Sequence, residues 1–196
     1  MDVTSVGEYH AFLARIYGFE AAVETAAASV CDVDMIHVGA RSRLDSLRAD
    51  LAALGVHDVD SLMTYRGILM RSAADAFGWL FVIERQTLLA GLIRRYLANR
   101  IPDVVSAAGR YLDDASRNAG ARFRRFGDAL GTFAQAGTAP AESVAVAAVS
   151  AFRHQHLWYA RMGRRSPART GDEAAPNRHD PTHPASTAPA QPRDAA

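Results

Sequence analysis

Lysine is absent from this chain: all 22 of its basic residues are arginine, a bias that fits a GC-rich coding sequence rather than a chemical requirement. Cysteine occurs once, as Cys31, which excludes an intramolecular disulfide and suits a reducing cytoplasm. With no helix start or basic neighbour beside it, Cys31 lacks the surroundings that make a thiol reactive. Charge of one sign is also lacking. The basic residues almost balance 21 acidic ones, leaving a net charge of +1, so no global field recruits nucleic acid or a membrane surface. The arginines are not interleaved with stacking aromatics as a nucleic-acid groove requires. The chain opens with Asp2 and Glu8 where a signal peptide needs a basic start and an apolar run. No apolar run approaches the roughly 18–20 residues of a membrane span. These absences lead to the expectation of a cytoplasmic protein with no nucleic-acid or membrane partner.

Several catalytic signatures are missing as well. There is no Gly-rich phosphate loop, no G-x-S-x-G elbow and no Cys/His cluster with metal-ligand spacing. No internal repeat is found, and no period-2 alternation is long enough for a sheet. Proline is scarce until late: six of the eight prolines lie beyond Ser166, in a stretch of Ala, Thr, Asp and Arg without an aromatic residue. Such a stretch cannot bury enough apolar surface to offset an ordering cost of roughly 1–2 kcal/mol per residue. Residues 166–196 are therefore expected to be a disordered Pro/Ala-rich tail, and residues 1–165 a single helical domain.

What is present is helical periodicity. Ser5 and Glu8 form an S-x-x-E box ahead of Tyr9, Phe12, Leu13, Ile16, Tyr17 and Val23, which predicts a first helix to about Ala28. Cys31–Gly39 reads as a connector. Leu44, Leu47, Leu51 and Leu54 form the stripe of a second helix, with Gly55 placed to end it in the left-handed conformation. Ser61–Met70 is expected to be helical, interrupted or kinked near Gly67, and to lead into the next helix. Ser72–Arg100 is expected to be one long buried helix with Glu84, Arg85 and Gln86 as a polar patch at its centre, between Gly78 and Gly91. That combination marks a wall of a ligand pocket. Pro102 stops the helix, and Asp103–Tyr111 reads as a short helix or turn. A further helix follows Gly120, with Phe123, Phe126, Leu130 and Phe133 inward and Arg122, Arg124 and Arg125 largely outward. Gly137–Pro140 is a turn, and Ala141–Met162 is the last helix. The fold class is all-α.

The order of these segments is more specific than any one of them. EYHAFLARIYGFEAAVE, RSRLDSLRADLAALG, GWLFVIERQTLLAG, FRRFGDAL and AVAAVSAFRHQHLWYA together resemble the bacterial biliverdin-producing haem oxygenases associated with bacteriophytochrome chromophore supply. The resemblance spans about Val3–Arg161. It implies a haem oxygenase-like helical bundle in which haem lies between a proximal helix, whose histidine binds iron, and a glycine-bent distal helix. It further implies oxidative cleavage of haem to biliverdin, carbon monoxide and iron with an external electron donor. The central helix matches the distal one through Gly78, Leu80, Phe81, Val82, Glu84, Thr87 and Leu88. By the same resemblance Arg85, Leu88, Leu89 and Gly91 are the haem contacts.

The chain also departs from the family. The proximal histidine of the family lies on a helix before the EY-x-x-FL segment, and only eight residues precede Tyr9 here. That helix would have to be encoded upstream, or the proximal wall is lost. Arg85 stands where the family has glycine, and Leu89-Ala90 replace its glycine pair, leaving Gly91 one position late and turned by about 100°. Leu89 would occupy space the macrocycle needs. The alternative expectation is therefore a divergent protein that binds haem or a bilin without cleaving it, or a helical interaction module that forms a homodimer through the uncovered apolar face.

Other candidate residues have simple readings. His10 is the histidine best placed to replace the axial ligand, although an exposed or hydrogen-bonded role is its default. His37 and His57 fall in connectors, and His179 and His183 in the tail. His154 and His156 point about 200° apart on one helix and cannot share a metal. Glu84 needs a partner if partly buried, and a bond to an arginine or tyrosine that ties two helices together is the favoured reading over a catalytic one. Arg94, Arg95, Arg110, Arg117, Arg122, Arg124 and Arg125 could each reach a haem propionate, though a solvated face is the ordinary role.

Overall fold

The computed structural model describes residues 3–30, 40–137 and 141–163. The connector at 31–39, with Cys31 and His37, the end of the Gly137–Pro140 turn and the tail at 166–196 lie outside the described residues.

Among the described residues every regular element is helical. In chain order they are α1 (Val6–Ala28), α2 (Ala40–Ala53), a 3-10 turn (Val59–Ser61), α3 (Ala73–Thr87), α4 (Ala90–Ala98), α5 (Pro102–Ala107), α6 (Arg110–Ser116), α7 (Ala119–Gln135) and α8 (Ala141–Gly163). The first two helices end as their sequences predict. The Ser5 hydroxyl accepts from the Glu8 N–H at 3.2 Å. The Glu8 carboxylate reaches back one residue further than a standard capping box, to the Thr4 N–H at 2.7 Å. At the far end of α2, Gly55 has φ +90°. The Val56 N–H donates to the Leu51 carbonyl at 2.9 Å and the Gly55 N–H to the Ala52 carbonyl at 3.0 Å, the paired bonds of a Schellman ending.

Three expectations are corrected. Residues 61–70 form no helix beyond the 3-10 turn. The chain there crosses α1, where the Tyr65 N–H donates to the Gly18 carbonyl at 2.8 Å and the Tyr65 ring packs edge-on to Trp158 at 5.7 Å. Tertiary partners thus replace local ones. The long central helix is broken into α3 and α4. Leu88 and Leu89 donate to the Arg85 and Gln86 carbonyls three residues back, at 3.2 and 3.0 Å, and the Thr87 hydroxyl bonds the Glu84 carbonyl at 2.7 Å. A threonine that bonds the preceding turn competes with the helical ladder and bends it.

Pro102 does mark the end of the central run, α4 stopping at Ala98, and it also occupies the first turn of the short helix α5, where its missing N–H costs nothing. Arg122, expected outward, is buried. Its guanidinium donates to the carbonyls of Asp114, Ala115 and Arg117 at 2.9, 2.6 and 3.2 Å, satisfying the C-terminal carbonyls of α6 that no intrahelical N–H can reach.

Two apolar clusters form the interior. One gathers Tyr9, Leu13 and Ile16 of α1, Leu47 and Leu51 of α2, Leu97 of α4, and Tyr111 and Leu112 of α6. The other gathers Phe19 and Val23 of α1 with Phe77, Trp79, Leu80 and Ile83 of α3, Phe126 of α7 and Trp158 of α8. Helix α1 runs through both. The tightest crossing is α3 on α8, where Gly78 lets the backbones meet. A Cβ added there would lie 2.5 Å from the Ala147 Cβ and 2.7 Å from the Ala148 nitrogen.

The stretch Ala73–Ala98 is, by length and composition alone, long and apolar enough to cross a membrane, contrary to the expectation that no run approaches this. In the fold 56% of its most apolar window is buried against the other helices. Glu84, in the middle of it, is tied to arginines of α2 and α7.

Candidate functional site

Helices α1, α3 and α8 diverge around the break between α3 and α4, and leave a cavity of about 440 Å3. Phe12, Arg15 and Ile16 of α1 form one wall, and Val82, Arg85 and Gln86 of α3 with Leu89 and Ile93 form the second. Phe152, Gln155 and Tyr159 of α8 form the third. The volume lies within the ~300–1,000 Å3 of ordinary ligand sites. The walls are apolar with polar groups at fixed points. The Gln155 side-chain amide donates to the Gln86 Oε1 at 2.6 Å, and the Tyr159 hydroxyl donates to the same oxygen at 3.2 Å. Burial pushes the Tyr159 phenol above its ordinary value, so it remains a neutral donor. The Arg85 guanidinium lies 5.4 Å from the Phe152 ring centre, and burial weakens the proton affinity of Arg15 without neutralising it.

Of the four residues assigned from the resemblance, Arg85 and Leu89 line this cleft and Leu88 and Gly91 do not. Leu88 is exposed on the outer side of the break. A Cβ on Gly91 would lie 3.5 Å from that of Ser116, so this glycine faces the end of α6. Leu89, half exposed, stands at the cleft mouth instead of filling it. Gln86, part of the polar patch read as a pocket wall, lines the cleft as well, whereas sequence reasoning did not find Arg15, Gln155 or Tyr159. Arg15 and Tyr159 each sit one or two residues from an aromatic core position, which was the only available signal.

Among the described residues no histidine, cysteine or methionine lines the cleft. His154 is taken by a hydrogen bond between its Nδ1 and the Tyr65 hydroxyl. The buried Nε2 of His10 has no hydrogen-bond partner among the described residues. No group of three or more metal-binding side chains occurs among the described residues. Among the described lining residues the phenol of Tyr159 has the chemistry of a haem-iron ligand, and it is engaged by Gln86. Among the described residues the lining therefore offers apolar walls and guanidinium groups, and no free nitrogen or sulfur donor to an iron.

A second cavity of about 390 Å3 opens between α7 and α8 over Phe81. Its walls, including Leu130, Phe133, Val144 and Ala148, are apolar, and it shares Phe152 with the cleft.

Behind α3 lies a cluster of buried charges. Arg43 of α2 sits at its centre, 1% exposed. Its Nη1 is 2.7 Å from the Glu84 Oε1, its Nε 3.6 Å from the Glu20 Oε2 and its Nη2 4.0 Å from the Glu24 Oε1. The Nε of Arg122 lies 3.8 Å from the other Glu84 oxygen. The Tyr111 hydroxyl donates to the Glu20 Oε1 at 2.7 Å. Glu84 thus has the arginine partners that the favoured reading asked for, and it points away from the cleft lining. Glu20, Glu24 and Arg43 were missed. The signal was there in Glu20 and Glu24, four residues apart within the apolar stripe that holds Ile16, Phe19, Val23 and Ala27.

Compared with known proteins, the chain has no match to a family model, to a curated protein or to a solved structure.

Proposed function

We propose that the cleft between α1, α3–α4 and α8 binds a flat, apolar, carboxylate-bearing molecule, haem or a bilin, and does not cleave it. The observation that carries this reading is the pairing of apolar walls (Phe12, Ile16, Val82, Phe152) with two arginines, Arg15 and Arg85, around one cavity of about 440 Å3. Apolar walls accept the faces of a ring system, and guanidinium groups pair with carboxylates in a fixed fork. Gln86 engages the Tyr159 phenol, the described lining group able to ligate iron, which supports binding over oxygen chemistry. In this reading the protein works in the cytoplasm, and the exposed Leu88, Leu89 and Leu92 offer surface for self-association.

A second reading, oxidative cleavage of haem to biliverdin, carbon monoxide and iron with an external electron donor, is favoured by the break at Leu88–Leu89. It falls where the resembling family bends its distal helix.

Absorption titrations with biliverdin and with haemin separate the two. Saturable 1:1 binding is expected for both, with a broad haemin Soret band and no bilin formed when reductant and oxygen are added. Replacing Arg15 and Arg85 together by alanine should weaken biliverdin binding about 10- to 100-fold, the equivalent of roughly 1.5–3 kcal/mol for charge-assisted bonds. A sharp Soret band of the histidine-ligated type followed by conversion to a bilin would establish the second reading. Absence of saturable binding would defeat both.

A further inference from the structure

We propose that the buried cluster holds one exchangeable proton on Glu24, and that its loss weakens the seam between α1 and α3. The argument begins with a count of charges. Within 4.0 Å contacts, three carboxylates (Glu20, Glu24, Glu84) meet two guanidinium groups, Arg43 and Arg122. All five residues are buried. An uncompensated charge in such a place is costly and is relieved by taking up a proton.

Geometry selects which carboxylate takes it. Glu84 is held by both guanidinium groups, one of them at 2.7 Å. Glu20 accepts the Tyr111 hydroxyl at 2.7 Å and faces the Arg43 Nε. Glu24 has only the Arg43 Nη2 at 4.0 Å, and its Oε1 is buried without a hydrogen-bond partner among the described residues. It is the least compensated of the three.

The groups that face Glu24 are Glu20 on its own helix, Arg43 and Arg48 on α2, and Glu84 on α3. Arg48 is 44% exposed and also pairs with Asp45 and Asp60, so it screens Glu24 weakly. Tyr111 of α6 and Arg122 of α7 stand behind Glu20 and Glu84. Burial, then the neighbouring Glu20, pushes the Glu24 carboxyl from 4.5 up to about 8. Burial also raises Glu20, against the pull of Arg43. The Tyr111 phenol is pushed well above its ordinary range and keeps its proton.

The direction of the pH effect follows. Between about 4.5 and about 8 the folded protein holds a proton on Glu24 that the unfolded chain has released. The stability from this group is therefore complete below the lower value and is lost as pH rises through the upper one. Once ionised, Glu24 and Glu20 on α1 oppose Glu84 on α3.

Two measurements test the proposal. The infrared spectrum of the intact chain at neutral pH should contain the C=O stretch of a protonated buried carboxyl, which disappears on alkaline titration and is missing from Glu24→Gln. The melting temperature of the unmodified chain should fall by roughly 5–10 °C between about pH 6 and pH 9, and that of Glu24→Gln by less than about 2 °C. No carboxyl band at neutral pH would overturn the proposal. So would a band that persists in folded Glu24→Gln, or an equal alkaline fall in both proteins. If Glu24→Gln does not fold, the infrared titration of the unmodified chain decides alone.

Discussion

Arg43→Met is expected to lower the unfolding free energy by about 3–5 kcal/mol, because it leaves the buried Glu20 and Glu84 carboxylates beside Glu24 without their central guanidinium, Arg122 alone remaining in contact with Glu84. A single domain has about 5–15 kcal/mol in total, so the variant should be largely unfolded well below the denaturant midpoint of the unmodified chain. The loss does not measure the worth of the ion pairs. It measures the desolvation of carboxylates that have lost their partner. That distinction has its own consequence: adding Glu20→Gln and Glu84→Gln to Arg43→Met should recover a substantial part of the loss, since neutral amides are far cheaper to bury than unpaired charges. Urea unfolding of the single and triple variants checks both statements. A cost below about 1 kcal/mol for Arg43→Met, the size of an exposed pair, would mean that the cluster is hydrated and contributes little.

The second large effect is expected at the α3–α8 crossing. Gly78→Val places side-chain carbon where the Ala147 Cβ, the Ala148 nitrogen and the Val144 carbonyl lie 2.5–2.8 Å from the first added atom. Two of these are backbone atoms and cannot swing aside, so the helices must separate. Overpacking in a tight core costs about 1–3 kcal/mol and more where backbone has to move, and the upper end is expected here. Gly131 of α7 provides the control. A Cβ there meets nothing within 4 Å, so Gly131→Ala should stabilise the chain by about 0.5–1 kcal/mol. Thermal unfolding of the pair distinguishes a glycine required by packing from one that is merely tolerated. Equal effects at both sites would contradict the close approach of α3 and α8. The same geometry gives Gly78 a packing role at the contact with α8.

These two residues illustrate what could be read before the fold was known. Helix ends announce themselves locally: Ser5 with Glu8, and Gly55 after the leucine stripe, are decided by neighbours a few residues away, and both ends form as read. Facts that depend on distant partners are not written in this way. Residues 61–70 have helical periodicity, yet the Tyr65 N–H is claimed by Gly18, 47 positions earlier by subtraction. Arg122 reads as one of three surface arginines until the carbonyl end of α6 is placed beside it. Buried ion networks are the hardest to foresee, because a glutamate on an amphipathic helix looks the same whether it meets water or Arg43. Only its position within the apolar stripe separates the cases.

The cleft was legible on one wall. Arg85, Gln86 and Leu89 were singled out on the central helix, while Arg15 and Tyr159 lie on helices at opposite ends of the chain. Phe12 and Phe152 read simply as core. Convergence of such remote elements leaves no periodic trace in a single chain.

A flat anionic ligand is expected to sit in the cleft between α1, α3–α4 and α8. The most direct measurement is the amide and side-chain NMR spectrum of the 15N-labelled protein titrated with biliverdin. Saturable shifts concentrated on Arg15, Ile16, Arg85, Gln86, Gln155 and Tyr159, with the charge cluster around Arg43 little changed, are the expected result. Shifts confined to the other faces of the bundle, or none at saturating biliverdin, would contradict it.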